Sequence, residues 1–313
     1  DAKDIMRISL LTNSYPPQKN ISEEEFLKFK NEWLIKNSNL ELIEEYLVKN
    51  QVFNKQAELT KFLLDEYLSS SKIDKVCEIL SKNTKPLNDE YLFKFNIYCL
   101  IINNKSEEAQ LILDLKKELG FKDSYFENKI SQLLGFNSKI DDSISEKTIL
   151  SFHLAHKTNS KFVFEPNNGT KKIIWKYLSS SNLLESFQEI DILDIQKIST
   201  IEKAVNNKNY PEKDLFEIYK KFQFNINQLL NADKSYKSLE KIEARALIYQ
   251  KILLESDTTS KLKFLKILKK LFKDENLDDA FDVELKKFLQ EFDPKDIPDN
   301  LTSFYYTNIQ IND

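Results

Sequence analysis

Glycine is nearly missing from this chain: Gly120, Gly135 and Gly169 are the only three in 313 residues. Tight hairpin turns, phosphate-cradling loops and positive backbone dihedrals lean on glycine, so sheet-based enzyme folds are disfavoured. No apolar run reaches the ~20 residues of a membrane span. Charge of one sign is lacking too, since 46 basic and 50 acidic residues are interleaved to a net −4. Nucleic acid is not expected as a partner, because counterion release needs a basic surface. With two histidines and two cysteines there is little to build a metal centre or a nucleophilic pair. The chain opens Asp1-Ala2-Lys3, a start that signal peptidases leave, and an exported or periplasmic location is expected over a cytoplasmic one.

What the chain has is helix. Charged residues make up 31% and the apolar ones recur at helical spacing, so the predicted class is all-α, an α-solenoid of two-helix repeats followed by an irregular helical region. Residues 37–47, 70–80 and 103–113 superimpose at an offset of 33 without a gap. Ile43, Val76 and Ala109 share a column, as do Tyr46, Ile79 and Ile112, and Leu47, Leu80 and Leu113. Upstream the same offset aligns Phe26 with Leu59 and Leu92, and Phe29 with Phe62 and Phe95, which are expected to be core. Such a period belongs to stacked helical hairpins, in which neighbours cover one another's apolar faces.

The predicted organisation is an extended leader over 1–21, the array over 22–135, a linker over 136–145, irregular helices over 146–292 and a non-helical tail over 293–313. Tyr15-Pro16-Pro17 sets the leader, and Pro294 and Pro298 set the tail. Ser22 with Glu25 reads as a capping box, and Gly120 and Gly135 read as residues that close helices. Within the irregular region helices are expected near 145–156, 170–180, 182–206, 211–222, 234–255, 257–273 and 277–292. Residues 161–166 read as an extended connection pinned by its aromatics.

The hairpin period over 22–120 resembles the tetratricopeptide-like superfamily of α-solenoids. That resemblance implies a right-handed superhelix used as a binding scaffold, with the first helices lining a concave face. Lys28, Lys61 and Lys94 share one column of those helices and are the candidate site, a basic ladder for an acidic peptide. Cys77 and Cys99 fall on helices that pack antiparallel. The spacing leaves open whether they are bridged or stay as two thiols.

Other constellations carry less. His153 and His156, three apart on a helix, could reach a metal with Glu165 or Asp142, but no third ligand stands in a defined motif. Asp274, Asn276 and Asp278 begin like a calcium loop, yet Asp279 and Leu285 replace its glycine and glutamate. No cofactor, metal or catalytic residue is expected. The helix Lys261–Lys273 carries six lysines and suits either an anionic membrane surface or an ordinary core-facing helix. The predicted function is a non-catalytic protein-interaction or assembly scaffold with a protein or peptide partner. The rivals are the scaffold of a hydrolytic or cell-wall enzyme with acidic catalytic residues, and a membrane-surface adaptor.

Overall fold

A computed structural model describes residues 2–11, 17, 19–136, 141–167, 169–186 and 188–309. The protein is all-helical, with no strand among the described residues. It divides into two units, residues 1–164 and 165–313.

The first unit holds α1 (Ala2–Leu11), α2 (Glu23–Asn37), α3 (Leu40–Asn50), α4 (Ala57–Ser69), α5 (Ile73–Ser81), α6 (Glu90–Ile102), α7 (Ser106–Glu118), α8 (Ser124–Leu133) and α9 (Ile149–Thr158). From α2 to α8, alternate helices begin 33 or 34 residues apart. α2, α4, α6 and α8 pack in succession, and α3, α5 and α7 pack on α4, α6 or both. The helix starts follow local chemistry. Ser22 and Glu25 form the capping box, while Asn39, Asp89 and Asp123 accept from the first-turn amides of α3, α6 and α8.

Two of the aligned columns are wholly core: Ile43, Val76 and Ala109, and Leu47, Leu80 and Leu113. Tyr46 and Ile79 are buried while Ile112 is half-buried. The phenylalanine column is graded instead, with Phe95 buried, Phe62 half-buried and Phe29 42% exposed. Phe29 lies on α2, the helix on which α1 packs.

Several sequence-based expectations are corrected. Glycine scarcity does not remove left-handed turns, because Asn20, Gln51, Ser71, Asn104, Asn182, Lys208 and Asn276 adopt φ between 50 and 68°. Ser71 and Asn104 stand one period apart, at the turn between the first and second helix of their hairpins. The extended leader is a helix over Ala2–Leu11, since its prolines restrict only their own positions and the residue before them. The predicted linker over 136–145 is not the boundary between units. Residues 137–140 lie outside the described residues, 141–148 are non-helical, and α9 then packs on α4 and α8. Phe162 and Phe164 meet Phe152 edge-on, closing the first unit.

The second unit comprises α10 (Lys172–Ser180), α11 (Ile195–Asn206), α12 (Glu212–Lys221), α13 (Ile226–Leu230), α14 (Ala232–Ser235), α15 (Lys241–Leu254), α16 (Thr258–Lys273), α17 (Asp282–Gln290) and α18 (Asp299–Ile309). α15 sits between α12 and α16, with Phe216, Tyr219, Tyr249, Phe272 and Phe281 joined in one aromatic core. Residues 182–186 and 188–194 are turns and irregular chain rather than helix, as Ser186 and Asp191 bond nearby amides. The tail over 293–313, expected to be non-helical, carries α18. Its prolines stand at starts: Pro294 opens a 3-10 turn, and the Pro298 carbonyl accepts from Leu301. Leu301, Tyr305 and Asn308 then bury one helical face.

Candidate functional site

The three column lysines are not equivalent. Lys61 Nζ lies 2.7 Å from Asp89 Oδ2, and Lys94 Nζ lies 2.6 Å from Asp123 Oδ2. Both aspartates are also N-caps, of α6 and α8, so each lysine ties a first helix to the start of the next one. Glu58 and Glu90 add a second carboxylate to each lysine. Burial would push Lys94 down, but the hydrogen bond and charge of Asp123, with Glu90, hold it above its usual range. Lys28 is exposed and has no ion pair among the described residues. At the cap of α4 stands Gln56, which is buried and donates to the Tyr46 hydroxyl instead. Side-chain amides make similar one-period ties. Gln51 bonds Lys82 O and Thr84, and Asn54 bonds Pro86 O and the Asn88 amide.

Cys77 and Cys99 are joined by a disulfide between α5 and α6, with Cα atoms 5.2 Å apart. Of the two states that the spacing left open, the bridged one is formed.

The face of α4, α6 and α8 receives α9 through tyrosine hydroxyls. Tyr91 donates to Asp65 Oδ1 at 2.8 Å and accepts from the Leu150 amide. Tyr98 Oη is 2.8 Å from His153 Nε2, and Tyr125 donates to Ser143 O and Ser151 O. Burial pushes Asp65 up to about 7, and pushes His153 down to about 3. His153 is thus seated against Tyr98, while His156 lies on Phe162. No group of three or more metal-ligating side chains converges among the described residues.

Two open clefts lie among the described residues. One, of about 770 Å³, runs between α3 and α5 and is lined by both charges, with Glu44 held by Tyr67 and Lys75. The other, of about 330 Å³ in the second unit, is lined by Asn206, Asn207, Asn209, Asn276, Lys203 and Trp175 among others. Beneath α11, Arg245 grips Glu202 with Nε–Oε1 at 2.9 Å and Nη2–Oε2 at 2.6 Å, and Tyr219 donates to the same carboxylate. Glu212, pushed up to about 7 by burial, accepts from the amides of Val283 and Glu284 and so caps α17 from α12. Asp65 and Glu212, and with them Glu202 and Asp214, are raised carboxylates that charge patterning in the sequence did not reveal. Asp65 and Glu212 each sit in a run of ordinary charges, and burial is the main thing that sets them apart, with a smaller push from the nearby carboxylates Glu66 and Asp282.

On α16, Leu262, Leu265, Leu268 and Phe272 face the core. Lys261 pairs with Glu291 and Lys269 with Asp282. Lys263, Lys266, Lys270 and Lys273 form an exposed stripe with no ion pair among the described residues. No described helix is long and apolar enough to cross a membrane. Comparison of the chain with protein-family models, curated proteins and solved structures finds no match.

Proposed function

We propose that this chain is a non-catalytic protein-interaction scaffold whose first unit is a tetratricopeptide-like α-solenoid. What carries the reading is the set of one-period ties, Lys61 to Asp89, Lys94 to Asp123, and the Gln51 and Asn54 amides to the next loop. Polar groups there hold hairpin to hairpin, which is how a quasi-one-dimensional array is stabilised. The acidic-peptide version of the reading rests most on Lys28, since Lys61 and Lys94 are engaged. The raised carboxylates Asp65 and Glu212 each hold a helix, which weighs against the rival reading of an enzyme built on acidic residues. A bridged Cys77–Cys99 pair fits an oxidising, exported or periplasmic setting.

The test is a panel of labelled extended acidic, extended basic and amphipathic helical peptides titrated with the full chain. Saturable binding of one class, with Kd near or below about 100 μM, is expected. Turnover of peptide, glycan or ester substrates that disappears in Asp65→Asn or Glu212→Gln would overturn the reading.

The α16 stripe favours a second role at anionic membrane surfaces, worth about 1 kcal/mol per lysine near the lipid. Salt-sensitive binding to vesicles containing anionic lipid, lost in Lys263→Glu/Lys266→Glu/Lys270→Glu, is the expected result. Equal binding by the variant removes this role.

A further inference from the structure

The ties described above explain how hairpins hold together, and the second helices show where the array is left open. On α3 the exposed residues Glu45 and Lys49 form an i, i+4 ion pair, and the equivalent Glu78 on α5 and Lys82 at its C-cap do the same. One further period along, on α7, those two positions are Leu111 and Leu115, 61% and 51% exposed, and Leu119 extends the stripe at 82%. The backbone is equivalent in all three, since α3, α5 and α7 begin at Leu40, Ile73 and Ser106. Solvent exposure alone therefore does not dictate leucine here. A charged pair suits these sites in two hairpins and is replaced by an apolar ridge in the third, the one with no further second helix after it before α9.

Charge around the ridge says what covers it. At 100° per residue, Glu107, Asp114 and Glu118 border the leucines on one side of α7, and Lys105 and Lys116 border them on the other, with Lys116 over the Phe93 ring and Glu108, at the N-terminal end of the ridge, paired with Lys105. A two-fold axis running along the ridge sets α7 beside a copy of itself, nearly parallel, with leucine on leucine. In that arrangement the acidic border of each helix meets the basic border of the other, so the patch is complementary to itself, as an isologous interface requires. We propose that the Leu111–Leu115–Leu119 face of α7 is the contact through which two copies of this chain associate. The interface is centred on one ridge, so association is modest in strength and depends on salt.

This inference uses the scaffold reading only for the alignment of α3, α5 and α7, and its failure is separable from that reading, which the peptide panel decides. Sedimentation equilibrium of the full chain should show a reversible monomer–dimer equilibrium, with Kd in the range of about 1 to 300 μM. Leu111→Glu/Leu115→Lys installs the ion pair that α3 and α5 already carry, so the fold should survive by circular dichroism while Kd weakens more than tenfold. Asp114→Lys/Glu118→Lys should not self-associate, nor should Lys105→Glu/Lys116→Glu. An equimolar mixture of these two variants should associate at least as tightly as the unmodified chain. A chain that stays monomeric to roughly 1 mM overturns the proposal. So does dimerisation indifferent to Leu111→Glu/Leu115→Lys, or a mixture of the charge variants that fails to associate.

Discussion

Among single residues, identical types in one sequence column have acquired different work. Lys28 and Lys94 align, yet Lys94 is largely buried between Asp123 and Glu90 while Lys28 stands in solvent. Lys94→Met should cost about 1 to 2 kcal/mol, because it removes an ion pair and a support for the α8 cap. Lys28→Met should change stability by less than about 0.5 kcal/mol. Urea unfolding of both variants checks the contrast, and equal costs would mean that Asp123 caps α8 without help. Glu202 and Arg245 are a stronger case, since both side chains are almost wholly buried. Arg245→Met strands a carboxylate in the core and should cost about 3 to 5 kcal/mol. Adding Glu202→Met to that variant should recover part of the loss, measured again by urea midpoint, whereas a strictly additive double variant would deny the coupling.

At the level of elements, the seat of α9 contains two groups whose titrations oppose one another. Burial holds Asp65 up near 7, from an ordinary 3.8. Between about pH 4 and 7 the unfolded chain has lost that proton and the folded chain keeps it, so this group's contribution to stability falls as pH rises. His153 is held down near 3, from an ordinary 6.5. Below about 6.5 the unfolded chain gains a proton that the folded chain refuses, so its contribution falls as pH drops. Asp65→Asn should therefore leave a protein that loses more stability on acidification than its parent does. His153→Gln should leave one that gains relative to its parent as pH falls from 6.5 to 4. Urea midpoints across pH 4 to 8, read from Trp33 fluorescence in a Trp175→Phe background, test both, and two parental slopes would remove Asp65 and His153 from the account.

Most helices from α2 to α9, though not α1, were legible in the sequence, because caps such as Ser22 and closing residues such as Gly120 act within a few residues of where they stand. The packing of α9 was not. Tyr91, Tyr98 and Tyr125 read as apolar helix positions in the sequence, and only the fold turns their hydroxyls toward one element. The tail was misread for a related reason: a proline forbids helix before it and favours helix after it, and the sequence does not say which side matters. The lysine column was found, but its neutralising aspartates lie 28 and 29 residues on, a distance that periodicity alone does not single out.

For the whole molecule, the disulfide joins residues 22 apart in the first unit. Closing a loop of that size restrains the unfolded chain by about 3 kcal/mol in the chain-entropy account. Reduction, or Cys77→Ala/Cys99→Ala, should lower the urea midpoint reported by Trp33 in a Trp175→Phe background by a corresponding amount. An unchanged midpoint would mean that the unfolded state is already confined there. The same bridge has a mechanical meaning. When the chain is drawn out from its two ends, the load crosses from Cys77 to Cys99 and residues 78–98 carry no tension. The fully stretched contour is then shorter by about 70 Å than that of the reduced chain, taking ~3.3–3.6 Å per residue and allowing for the 5.2 Å that the bridge spans.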